Sequence, residues 1–116
     1  MSKSAAISGR SSFSAGEDFR VNVKVSDITF NGEDVDFSVA GRTVMGVVTG
    51  PRGEIFFEQE LVKISEEGGW VFLLKPHETL SRCANEGPAA LNLRITFDAP
   101  DLYIRRHVDM AIQLVK

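Results

Sequence analysis

The side chains able to do covalent or metal chemistry are few and far apart. His77 and His107 are the two histidines, and Cys83 is the single cysteine. A nucleophile needs a base in hydrogen-bond reach. Cys83 and His77 lie six positions apart, and on a helix such positions face different ways, so the pair reads as a small buried residue near a surface imidazole. One cysteine excludes an intrachain disulfide and a multi-cysteine metal cage. Glu33, Asp34 and Asp36, with Asn31, are oxygen donors of the type calcium prefers. They lack the spaced acidic loop and closing Glu of an EF-hand and read as a solvated acidic turn. His107 and Asp109 share a strand face two residues apart, without a third ligand in view. Gly50-Pro51-Arg52-Gly53 lacks the Lys and following helix of a phosphate-binding loop. The expectation is no catalytic residue, no metal and no cofactor, so the chain does not read as an enzyme.

Charge narrows the partners further. The 116 residues carry a formal net charge of −3, which supplies no cationic field for phosphate backbones or anionic lipid. Arg105-Arg106-His107 is the one basic cluster, expected to solvate a strand edge or to pair with Asp101 and Asp109. Nucleic acid is therefore not an expected partner. Nor is a membrane: no run approaches the ~20 apolar residues of a span, and Met1 to Phe13 has no apolar core of a signal peptide.

The elements that must position these side chains read mostly as strands. Residues 1–16 hold Ser2, Ser4, Ser8, Ser11, Ser12 and Ser14 with Gly9 and Gly16, a composition that cannot offset its ordering entropy by burial, and read as a flexible arm. Residues 17–116 read as one domain. From Phe19, apolar residues alternate with polar ones through Val25, the period of a half-buried strand. Asn31 to Asp34 carries turn chemistry and leads to a short strand on Val35, Phe37 and Val39. Arg42–Thr49 and Glu54–Ile64 read as two strands of a hairpin around Gly50-Pro51-Arg52-Gly53, the second with a bulge or edge position because neither of its faces is cleanly apolar. Trp70 to Leu74 is nearly continuous apolar strand, with Trp70 as a core anchor. Pro76 at a first helical position and Glu78 in the first turn predict a short helix over 76–84. Leu91 to Phe97 alternates cleanly. Leu102, Ile104, Val108, Met110, Ile112 and Leu114 fall on even positions and predict a last strand that bends near Arg106. Six to seven short strands with one brief helical crossover imply an all-β, antiparallel β-sandwich.

Several of these segments resemble small β-sandwich domains in structural proteins of tailed bacteriophages, of the upper-baseplate N-terminal and fibre-attachment type. The resemblance rests on Gly16-Glu17-Asp18-Phe19 entering a strand, Asn31-Gly32-Glu33-Asp34-Val35-Asp36-Phe37, the turn at 50–53, and Gly69-Trp70-Val71-Phe72-Leu73-Leu74 followed by Pro76-His77-Glu78-Thr79-Leu80. It spans about residues 16–116. Gly87-Pro88-Ala89-Ala90 stands where the family commonly reads Gly-Xaa-Tyr.

The resemblance implies a non-catalytic virion component of a phage or prophage, in the tail, baseplate, neck or fibre attachment. Such a component is held among other virion proteins as a homo-oligomer or multisubunit assembly. A small carbohydrate- or ligand-binding module on the same sandwich is the alternative, with Tyr103, and after it Phe13 or Phe30, as the aromatics free to stack on a sugar. Arg20, Arg52, Tyr103 and Arg105 are the expected protein-contact residues, since Tyr and Arg are enriched where binding energy concentrates.

Overall fold

The computed structural model describes residues 6–9, 11–24, 29–65, 69–83, 85 and 87–115. β1 spans Ala6–Gly9 and β2 spans Ser12–Phe13. In β3 (Phe19–Lys24), Phe19, Val21 and Val23 are buried while Arg20, Asn22 and Lys24 are exposed, as the pleat requires. β4 (Thr29–Phe30) and β5 (Glu33–Asp34) form a miniature hairpin. Its turn residues, Asn31 and Gly32, have φ of 53° and 81°, left-handed values that Asn-Gly accepts at low cost and whose twist suits antiparallel strands.

β6 (Thr43–Thr49) and β7 (Ile55–Glu60) flank the expected hairpin turn, which is closed by Gly50 N–H on the Glu54 carbonyl and Gly53 N–H on the Gly50 carbonyl. β8 (Val62–Ser65) and β9 (Gly69–Leu74) precede α1 (Pro76–Cys83). Pro76 opens the helix where a missing N–H is harmless, and the Glu78 carboxylate accepts the Lys75 N–H at 2.8 Å, half of a capping box. β10 (Ala89–Ala99) and β11 (Ile104–Leu114) are joined through a 3-10 turn at Pro100–Leu102.

One sheet runs β1-β3-β9-β8 and the other β2-β11-β10-β6-β7. All of these pairings are antiparallel except the two-residue parallel contact of β2 with β11. The fold is thus the all-β antiparallel sandwich read from the sequence, with α1 crossing between the sheets. Inward faces fill the core: Phe19, Val21, Phe72 and Leu74 from the first sheet meet Val44, Val48, Leu93, Ile95 and Phe97 from the second. A Cβ on Gly46 would fall 2.5 Å from Phe72 Cδ1. This glycine, unfavourable in a strand interior on propensity alone, makes the room that the phenyl ring occupies.

Three expectations are corrected. The flexible arm over 1–16 is strand in part: β1 pairs with β3 from Ala6↔Lys24 to Gly9↔Val21, and β2 pairs with β11 at Ser12 and Phe13. Phe13 is fully buried, its ring 5.0 Å from that of Phe19, and so is not free for a sugar. Backbone pairing and one large apolar side chain supply what Ser-rich composition hides; residues 1–5 and 10 lie outside the described residues. The strand expected on Val35–Val39 is a looped segment. Val35 and Phe37 are buried from it, Phe37 at 5.5 Å from the Phe97 ring, so both side chains reach the core without ladder pairing. Finally, Glu54–Ile64 is two strands. β7 belongs to one sheet and β8 to the other, and the buried Leu61 marks the crossing. The expected bulge exists: the register shifts at Val48/Thr49, so Phe56 is the extra residue and both Phe56 and Phe57 contact the core. The last strand stays in unbroken register with β10 past Arg106, from Ala99↔Ile104 to Ala89↔Leu114.

Candidate protein-contact surface

The β10–β11 connection carries the most exposed large apolar side chain among the described residues. Tyr103 is 97% exposed. Its φ and ψ of 55° and 35° are left-handed, a conformation in which a bulky L-residue crowds its own carbonyl. The 3-10 turn sets this conformation, with Tyr103 N–H donating to the Pro100 carbonyl at 3.1 Å. The side chain therefore stands outward from the hairpin tip.

Arg42 holds that tip from below. Its Nε and Nη2 donate to the two Asp101 carboxylate oxygens at 3.1 and 2.8 Å, while Nη1 donates to the Asp36 carbonyl at 2.9 Å. One guanidinium thus ties the 35–42 segment to the 3-10 turn, in the forked geometry a carboxylate matches best. The same hydrogen bonds hold the Asp101 carboxyl below the ordinary aspartate range and push Arg42 up. Beside them is a shallow hollow of about 240 Å³ lined by Phe30, Glu33, Val35, Asp36, Arg42 and Leu102. Phe30 is 41% exposed at its rim. The spacing of 59 residues between Arg42 and Asp101 left no local signal in the sequence from which this clamp could be read.

The four expected contact residues do not converge. Tyr103 and Arg105 sit together at the start of β11, and both are exposed. Arg52 is in the β6–β7 turn at the opposite end of β10, where its N–H donates to the Glu54 carboxylate at 3.0 Å. Arg20 points outward from β3 in the other sheet, 3.4 Å from Asn22 Oδ1.

The residues considered for chemistry have ordinary structural company. Cys83 is buried in α1 and His77 is exposed. Asp36 accepts the Ser38 N–H and hydroxyl at 2.9 and 2.6 Å, which lowers its carboxyl, with Lys63 Nζ at 3.7 Å adding to the effect. The basic cluster solvates a strand edge, the first of its two expected roles: Arg105, Arg106 and His107 are exposed on β11, while Asp101 is taken by Arg42, and Asp109 by Arg94 at 2.8 Å, with Asn92 at 3.3 Å. Arg94 lies directly across the ladder from Asp109, and its hydrogen bonds lower that carboxyl. Register, not nearness in sequence, decides which charges face. Among the described residues no group of three or more His, Cys, Asp or Glu side chains could hold a metal, and no helix is long and apolar enough to cross a membrane. Comparison with protein-family models and with curated proteins returns no match for this sequence.

Proposed function

We propose that this chain is a non-catalytic domain that works by protein contact through its Tyr103 end, as a structural component of a tailed-phage particle. The observation that carries the contact is Tyr103 itself: an aromatic of large binding capacity, almost wholly exposed, on a left-handed backbone that costs the fold stability. Strain of this kind concentrates where a side chain must be presented, and Tyr is a frequent anchor of protein interfaces. The phage assignment draws on the motif resemblance and on the sandwich fold it implied.

The test is co-sedimentation. An antibody to the chain follows it through a density gradient of particles released from the bacterium that encodes it. Recovery with the particles, lowered about tenfold or more by Tyr103→Ala, is the expected result. A chain that stays with free proteins overturns the assignment to a particle. A sugar-binding module is favoured instead if oligosaccharides perturb the Tyr103 and Phe30 ring signals in NMR titration, since both aromatics are exposed, Phe30 lining the hollow and Tyr103 following its lining residue Leu102 in the chain.

A further inference from the structure

The five-stranded sheet ends in two edges of opposite charge. β11 pairs with β2 only at Gln113 and Leu114, so over 104–111 its outer side has no partner strand among the described residues. This stretch carries Arg105, Arg106 and His107, all exposed. At the other edge, β7 pairs with β6 alone and carries exposed Glu58 and Glu60. The side chains of Glu58, Glu60 and Arg105 make no ion pair or hydrogen bond with the described residues, while the Arg105 carbonyl accepts a long hydrogen bond from Arg106 Nη1 at 3.3 Å that a pairing strand would have to displace.

From these edges we infer that copies of this chain join head to tail, the β7 edge of one extending its sheet with the β11 edge of the next. The inference rests on the reading above only in taking the domain to work by protein contact. Strand direction permits it: β11, β10, β6 and β7 alternate without exception, so β7 and β11 are antiparallel. A second copy displaced sideways in the sheet plane therefore meets the first in antiparallel pairing. Charge selects this pairing over its competitors. Two β7 edges would set Glu against Glu, and two β11 edges Arg against Arg, whereas β7 against β11 brings opposite charges together.

The register follows from the faces. Glu58 and Glu60 share the outer face with Arg105 and His107, and Phe57 and Gln59 share the inner face with Arg106 and Val108. An odd slip would reverse the faces. Without a slip, Glu60 meets His107 and Glu58 meets Asp109, a like pair. A slip of two residues sets Glu60 opposite Arg105, Glu58 opposite His107, and the part-buried Phe57 opposite the part-buried Val108. This register uses the regular half of β7, beyond the bulge at Phe56. The contact is heterologous, so it propagates into a ring or a filament and does not stop at two copies.

Sedimentation velocity on the purified chain, from about 1 µM to about 1 mM, tests this. Assemblies larger than a dimer are expected to grow with concentration and to weaken in about 1 M salt, where surface charges are screened. Arg105→Glu and Glu60→Arg should each weaken association about tenfold or more, while circular dichroism shows each variant folded. Mixed in equal amounts, the two variants should assemble again, because each then offers the other a complementary edge. A wild-type chain that stays monomeric, a closed dimer, or a mixture no better associated than its components overturns the inference. Each of those results leaves recovery with particles, and hence the reading above, to be decided by its own experiment.

Discussion

At the helix end of the sandwich, side chains close inward, and at the Tyr103 end they stand out. Thr79, in α1 and fully buried, accepts the Gly16 N–H at 3.0 Å and donates to the Glu17 carbonyl, fastening the helix to the segment that enters β3. Arg82 lies 3.9 Å over the Phe56 ring, and Cys83 packs into the core. The Tyr103 end spends its polar contacts differently. Arg42, Asp101 and Asp36 brace a turn from beneath, and what that turn holds up is an aromatic ring in solvent. Both ends use a few well-placed hydrogen bonds on irregular backbone. One set secures the fold, the other a surface, which predicts that stability and binding separate by position.

The largest expected effect is at the closed end. Thr79→Val keeps the shape of the side chain but removes its hydroxyl, leaving the Gly16 N–H and Glu17 carbonyl without their partner. Stability should fall by about 1–3 kcal/mol, read as a lower urea midpoint with an unchanged slope. Assembly and partner binding of the folded fraction should persist. An unchanged midpoint would mean that water replaces the hydroxyl freely and that the helix end is not closed by it.

At the other end the sign reverses. Tyr103→Gly relieves a left-handed backbone and should raise stability by about 1 kcal/mol, while recovery with particles drops as for Tyr103→Ala. A residue whose removal strengthens the fold and weakens the contact is there for the contact. If Tyr103→Gly destabilises instead, the turn depends on the tyrosine and the contrast between the ends fails.

How much of this was legible in the sequence depends on whether the signal was local. The alternation in β3 and β10, the Asn-Gly and Gly-Pro-Arg-Gly turns and the Pro76 helix start are set by residues within a few positions of one another, and the structure forms each of them. β1 and β2 escaped because pairing with distant strands can order a Ser-rich segment whose composition argues for disorder. The passage from β7 to β8 escaped because Leu61 looks like any apolar residue of one long strand. Tyr103 and Arg105 stand out by residue type, and the structure leaves both exposed, yet Arg42, which braces the turn, is joined to Asp101 only by the fold. Thr79 carries no local signal of its role, because its partners lie 62 and 63 residues away. The opposed charges of β7 and β11 become visible only when sheet order makes those two strands the edges.

The smallest effect is the response to acid, and it is read at the Asp101 clamp. Arg42 holds the Asp101 carboxyl below the ordinary aspartate range. Its contribution is therefore fully present above the unfolded value, about pH 4, and is lost as pH falls through the depressed folded value. Carboxyl-carbon NMR should show Asp101 titrating below an ordinary aspartate, and Arg42→Ala should return it upward. As Asp101 protonates, Arg42 loses its forked partner, and the Tyr103 amide and ring should report a loosened turn. The hydrogen bonds of Thr79 run to backbone N–H and C=O groups with no proton to gain, so the Gly16 amide should keep its protection from hydrogen exchange over that pH range. Asp101 titrating at the ordinary value would mean that the clamp is open in solution, leaving the 3-10 turn alone to present Tyr103.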